Sequence, residues 1–268
     1  RMIMRLDRVS IHSLLPISQS LRRSPSEWLR SALLCCWCRG IMEGMQAAQT
    51  VVFLHGMGES ADAWDAQRAA LPSGFDSLAV DVFGSGGGSD GATSFSLDGA
   101  SDTVLEHVER HGADRVHLCG LSLGAMIALQ FALDHAERVR SLTLAAGQVK
   151  PPRALMAVQG AVFRLLPAKV LEKQGARKDV MLSVMRAVSR ADFSGQLDEV
   201  SSPTLVLCGE KDRPNMPAAR ALAAGIHGAE LGIIPGAGHQ SHMQAPEAFA
   251  TLLGDFLTRV SAQDADTR

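Results

Sequence analysis

The segment Gly120-Leu121-Ser122-Leu123-Gly124 has the form G-x-S-x-G, in which a serine occupies a sharp strand-to-helix turn and the flanking glycines let backbones approach closely. The bare pattern is weak, because at this glycine and serine content it arises by chance in roughly one such chain in five, so its value lies in context. A serine hydroxyl is a poor nucleophile near neutral pH and needs a neighbouring base that an acid holds in the right tautomer. Two downstream residues suit those tasks: Asp212, in Cys208-Gly209-Glu210-Lys211-Asp212, and His239, in Pro235-Gly236-Ala237-Gly238-His239. The competing reading of Ser122 is a helix-capping serine. Glu210 competes with Asp212 for the acid. His242 could be mistaken for the base or for half of a metal pair, although H-x-x-H on a loop without an adjacent carboxylate is a weak metal signal. Asp81 reads as a brace for its glycine loop.

These residues need elements to position them. From Thr50 onward the chain alternates short β-branched or apolar runs with longer helical patterns, which predicts βαβ units and a parallel sheet. Strands are expected at Thr50 to Leu54, Ser77 to Val82, Arg115 to Cys119, Val139 to Ala145, Thr204 to Cys208 and Glu230 to Ile234. Helices are expected near Trp64 to Leu71, Leu97 to His111, Leu123 to Asp134, Met216 to Ile226 and Pro246 to Val260. The serine motif then falls between a strand and a helix. Asp212 and His239 follow the last two strands, at the carboxyl edge of the sheet where open α/β folds bind ligands. Between Gly147 and about Gly195 the alternation stops and three helix-like pieces follow, carrying Leu155 to Phe163, Val170 with Leu171, and Met181 to Val188. They read as an inserted cap.

From Val51 to Leu257 the chain resembles the α/β-hydrolase superfamily in four motifs that occur in order: His55-Gly56-Met57-Gly58 after the first strand, Asp81-Val82-Phe83-Gly84-Ser85-Gly86, the serine elbow, and the Gly-Glu-Lys-Asp and Gly-Ala-Gly-His pair. The stretch Gly120 to Ala145 is particularly similar to small carboxylesterases and enol-lactonases. The resemblance implies a mostly parallel central sheet flanked by helices, with a small helical cap inserted after the family's sixth strand. It implies a core over 46–146 and 197–262, a cap over 147–196 and an N-terminal extension over 1–45. It also implies the triad Ser122, Asp212 and His239, in the family's chain order, and an oxyanion hole from the backbone N–H groups of Met57 and Leu123. His55 and Gly56 then support the oxyanion loop, while Gly120 and Gly124 support the elbow. No cofactor or metal is implied. Phe83 replaces the family's common proline, the Gly86-Gly87-Gly88 run is unusually loose, and the family's usual leading hairpin is missing unless residues 1–45 supply it.

A chain of 268 residues, 46% hydrophobic and 20% charged, suits one well-cored domain or a core with a small cap. A net charge of −2 gives no global attraction to nucleic acid or anionic lipid, and no apolar run approaches the roughly 18 residues of a membrane span. Cys35, Cys36 and Cys38 crowd together without a second ligand pair, and Cys119 and Cys208 sit in strand-like runs, so a reducing, cytoplasmic setting is expected. Residues 1–45 hold seven arginines against Asp7, Glu27 and Glu43 and are expected to be disordered or loosely attached, with a transit peptide or a natural start at Met42 or Met45 as alternatives. The 147–195 segment carries nine cations against three acids, a formal +6, which favours an anionic substrate if the cations face the site and means nothing if they face solvent. Two function classes follow. The first is hydrolysis of a small-molecule ester or lactone, with thioesterase, carbon–carbon-bond hydrolase and perhydrolase chemistry open on the same triad. The second is a non-enzymatic small-ligand receptor on the same scaffold, since fold does not dictate function. Oligomeric state is not legible.

Overall fold

A computed structural model describes residues 48–82, 95–152, 160–162, 164–165 and 178–266. Six strands form one parallel sheet: β1 (Gln49–Leu54), β2 (Phe75–Val80), β3 (Val116–Leu121), β4 (Val139–Ala145), β5 (Thr204–Gly209) and β6 (Glu230–Ile234). Their spatial order is β2-β1-β3-β4-β5-β6 and every pairing is parallel. A parallel pair needs a crossover, and the crossovers carry the helices: α1 (Asp65–Ala69), α2 (Leu97–His111), α3 (Leu123–Asp134), α4 (Lys178–Arg190), α5 (Met216–Gly225), α6 (Ser241–Gln244) and α7 (Pro246–Asp266). The sheet is open, with β2 and β6 as its edges among the described residues.

Strand alternation sorts the core into two layers. Val52 and Leu54 of β1 pack with α2, α3 and α5, whereas Val51 and Phe53 pack with Trp64 and the apolar face of α7. Because both faces are covered, the central strands read as continuous apolar runs; β3 and β5 are buried at every position. The edge strands differ, with β6 exposed at Glu230, Leu231 and Ile233. Helix α3 is buried at nearly every position, which accounts for its apolar residues on all sides. Helix α2 is amphipathic and bounded by local chemistry: Ser96 Oγ accepts the Gly99 N–H at 3.1 Å, and Gly112 ends it at φ +83°.

Several boundaries differ from the sequence reading. The β2 strand runs from Phe75, two residues earlier than expected, because its register pairs Phe75 with Gln49 at the start of β1. The predicted helix from Trp64 to Leu71 is a 3₁₀ turn at Ala61–Trp64 followed by the five-residue α1. Strand β3 continues through Gly120 to Leu121, which pair with Leu144 and Ala145, so a glycine that resembled a strand end lies within the ladder. Helix α7 extends to Asp266. The 1–45 extension with Cys35, Cys36 and Cys38, the Gly84 to Gly88 loop, and the cap piece at Val170 with Leu171 lie outside the described residues; of the Leu155 to Phe163 piece only 160–162 are described, as helix, and the third cap piece coincides with α4.

Candidate active site

One residue, Ser122, separates β3 from α3. Its backbone sits at φ 55° and ψ −110°, a region that costs a non-glycine residue about 1–3 kcal/mol and persists only where the surroundings enforce it. Enforcement comes from both sides. The Ser122 N–H donates to the Ala145 carbonyl at 2.8 Å, tying the turn to the end of β4. The two motif glycines are required by sterics: a Cβ on Gly120 would lie 2.3 Å from the Gly124 carbonyl carbon and oxygen, and one on Gly124 would lie 2.1 Å from the Leu54 carbonyl oxygen. The spacing therefore reflects a helix packed directly against the two strands beneath it.

The acid and the histidine come from the loops after β5 and β6, which are joined along their length. Gly209 has no Cβ, and one there would meet the Gly238 carbonyl oxygen at 2.2 Å. The Lys211 N–H donates to the Ala237 carbonyl at 2.8 Å and the Gly236 N–H to Glu210 Oε2 at 2.8 Å. Glu210 thus braces the histidine loop. Asp212 is 4% exposed, and its Oδ2 lies 2.9 Å from His239 Nδ1, the partner that a buried carboxylate requires. His239 keeps 43% of its side chain exposed. The amide of Asn215 reaches both Asp212 oxygens, at 2.8 and 2.9 Å, and lies 3.0 Å from His239 Nδ1.

His55 is buried, with Nδ1 2.8 Å from the Gly56 carbonyl and Nε2 3.2 Å from Asp81 Oδ1. Glu59 joins two loops of the site: one carboxylate oxygen accepts the Gly56 N–H at 2.9 Å and the other accepts from the Gln240 amide, beside His239, at 2.8 Å. His242 is fully buried, its ring centroid 4.5 Å from that of Trp64, and neither ring nitrogen has a hydrogen-bond partner among the described residues. Burial lowers its pKa, against the opposing pull of Glu59. Among the described residues no cluster of three or more His, Cys, Asp or Glu side chains could hold a metal.

A cavity of about 400 Å³ opens over the elbow and is lined by Ser122, Asp212 and His239 together with Met57 and Leu123. His242 and Glu210 are not among its lining residues. As the first residue of α3, Leu123 presents an N–H with no intrahelical acceptor. Met126, Val184, Met185 and Val188 make much of the remaining wall apolar, three of them from α4, and Gln148 and Asn215 are its further polar side chains. Of the nine cations in 147–195, Lys150, Arg164, Lys178, Arg186 and Arg190 are described and none lines this cavity. Lys150 pairs with Asp192 at 2.5 Å and Lys178 donates to the Arg164 carbonyl at 2.6 Å. The sequence reading did not single out Glu59, Gln148, Asn215 or Gln240. The available signal was proximity in the chain, since Glu59 follows the His-Gly motif and Asn215 stands three residues after Asp212.

The sequence pattern of the alpha/beta hydrolase fold matches residues 49–183, just over half of the chain. The chain belongs to the α/β-hydrolase family. A proposed carbamate hydrolase, RutD of Klebsiella pneumoniae, is 28% identical over 256 residues, covering 82% of this chain and 96% of that protein. A 2-hydroxy-6-oxononadienedioate/2-hydroxy-6-oxononatrienedioate hydrolase of Cupriavidus pinatubonensis is 29% identical over 252 residues, covering 78% and 87%. Among solved structures, a hydrolase from Pseudomonas aeruginosa superposes with a TM-score of 0.70 at 25% identity over 78% of this chain and 90% of that one. The enol-lactonase from Burkholderia xenovorans, at 0.67 and 24% identity over 80% and 92%, shares the fold. With hydrolases matched over most of both chains, this α/β-hydrolase is a hydrolase acting on a small molecule. No helix among its described residues is long and apolar enough to cross a membrane.

Proposed function

We propose that the protein hydrolyses a carboxylic ester or lactone through an acyl-enzyme on Ser122. The observation that carries this reading is the 2.9 Å Asp212–His239 bond opening on the same cavity as the strained Ser122. With Nδ1–H donated to Asp212, the free Nε2 of His239 takes the Ser122 proton as Oγ attacks the substrate carbonyl carbon. The negative charge that forms on the carbonyl oxygen is met by the N–H groups of Leu123 and Met57, and losing one such donor costs on the order of 3 kcal/mol of barrier. The intermediate collapses, the carbon–oxygen bond to the alcohol breaks, and His239 returns the proton to the leaving oxygen. Water then repeats the sequence on the acyl-enzyme and frees the acid. No step calls for a cofactor or metal.

The methionine and valine wall suits an apolar acyl group, because methionine packs adaptably around varied shapes. An anionic substrate would draw on Arg153, Lys169, Lys173 or Arg177, which lie outside the described residues. The buried free thiols of Cys119 and Cys208 suit the cytoplasmic setting inferred from sequence.

The likeness to the oxononadienedioate hydrolase favours carbon–carbon-bond hydrolysis on the same triad as a second reading. Steady-state assays separate the two: p-nitrophenyl esters from acetate to longer acyl chains, and a 2-hydroxy-6-oxodienoate, each with the unsubstituted protein and with Ser122→Ala. Sustained ester turnover that vanishes in the folded variant is the expected result. Turnover of the dienoate alone selects the second reading, and ester turnover that survives the substitution removes Ser122 as nucleophile. Acylation without product release points to a receptor.

A further inference from the structure

The Asn215 amide touches both members of the acid–base pair, yet the mechanism above gives it no task. Its orientation is determined at both ends. An ionised carboxylate only accepts hydrogen bonds, so the NH₂ of Asn215 must face Asp212, and it meets Oδ1 at 2.8 Å and Oδ2 at 2.9 Å. The Asn215 carbonyl then points away and accepts from the Gln148 amide. The result is a one-way series of donors from the cavity wall to the acid: Gln148 to Asn215 to Asp212.

Two further features single the residue out. Asn215 occupies the N-cap position of α5, where asparagine usually bonds the first turn, but its side chain makes no capping bond. It is turned instead toward Asp212, whose Oδ1 has no other donor among the described residues. A buried carboxylate bonded only through Oδ2 could rotate about its last torsion, whereas with both oxygens held it presents Oδ2 to His239 in one direction.

We infer that Asn215 is a positioning residue, which fixes the Asp212 carboxylate and thereby the direction in which Oδ2 meets His239 Nδ1. This rests on the catalytic reading above. The geometry adds a consequence for pH. Asn215 Nδ2 lies 3.0 Å from His239 Nδ1, so when the ring carries its Nδ1 proton two donors face each other. Removing the amide takes the positive end of its dipole away from the ring, so acid should inhibit the variant at a higher pH than the unsubstituted protein. The other ionisable groups near His239 are Asp212, which stays, and His242 with its neighbour Glu59.

The test uses the full chain and a fluorophosphonate probe, which reports how well Ser122 is activated without knowledge of the natural substrate. Asn215→Leu should slow Ser122 labelling about tenfold, the equivalent of one lost charge-assisted hydrogen bond. The acid limb of its pH–rate profile should move up by about half a unit to one unit. Asn215→Ser, which keeps a short donor, should recover part of both effects, and thermal unfolding should place all three proteins close together. The inference is overturned if Asn215→Leu labels within twofold of the unsubstituted protein with the same profile. A loss equal at every pH and matched by lost stability also overturns it, because that is what a packing defect produces. If the unsubstituted protein labels no faster than Ser122→Ala, the catalytic reading fails and takes this inference with it; labelling lost in Ser122→Ala but untouched in Asn215→Leu rejects the inference alone.

Discussion

Strand β3 carries a buried polar side chain near its amino end and ends at a strained serine, and the contrast separates structural from chemical polarity. His117 is fully buried and satisfied, with Nδ1 2.8 Å from Ser141 Oγ and Nε2 2.7 Å from Gln49 Oε1. Burial, reinforced by Arg140 and Arg115 against the opposing pull of Asp264, lowers its pKa to about 4. It is a neutral imidazole locked into a hydrogen-bond network. Ser122, five residues on, has an unfavourable backbone held in place from outside and a side chain lining a cavity. A polar group with every partner in place holds the fold together. One kept under strain beside a cavity has no such structural task, and the proposed nucleophilic role would supply one.

Three substitutions sharpen or break this contrast. The largest effect should come from Gly124→Ala, whose new Cβ would fall 2.1 Å from the Leu54 carbonyl oxygen. The atoms it would meet, the Leu54 and His55 carbonyl groups, are backbone and cannot yield, so the change should cost more than about 3 kcal/mol in denaturant unfolding and abolish labelling of Ser122. A stable, labelled variant would show that the elbow is not held by this close approach.

Next comes the acid sensitivity of the amino end. The folded-state pKa of His117 lies below its unfolded value near 6.5, so the unfolded chain binds the extra proton first. Stability is then complete above about pH 6.5 and declines as pH falls toward about 4, by up to about 3 kcal/mol. Replacing the ring by His117→Gln should flatten that decline in unfolding experiments across the same window while leaving Ser122 labelling at neutral pH unchanged. An undiminished slope would mean that other groups, His242 foremost, carry the acid sensitivity.

The smallest effect is the most specific. Ser122→Gly removes the Cβ penalty at φ 55° and should raise stability by about 1 kcal/mol while eliminating labelling. A loss of stability instead would show that the serine side chain contributes to the fold more than the strained backbone costs.

The chain alone was sufficient for the middle of the sheet. Strands with both faces covered are rich in apolar residues and bounded by turn residues, so β4 coincides with its expected limits and β1, β3 and β5 fall within two residues of theirs; the exposed edge strand β6 coincides as well. Helices α2 and α3 match their expected limits and α5 falls within one residue, while α7 runs six residues past its expected end. The short α1 and the limits of β2 were displaced, because they depend on what those elements pack or pair with.

The same division runs through the candidate site. Ser122, Asp212 and His239 are readable because each sits in a short motif whose glycines answer a steric demand in its own neighbourhood, at Gly120, Gly124 and Gly209. Asn215, Gln148, Glu59 and Gln240 belong to no such motif. An amide or a carboxylate is an ordinary surface residue until distant loops meet, and only the packing of the β5 and β6 loops with the segment after β4 aligns Gln148, Asn215, Asp212 and His239. Hydrogen bonds between side chains distant in sequence leave no periodicity in the chain, because their partners are chosen by tertiary contact rather than by spacing.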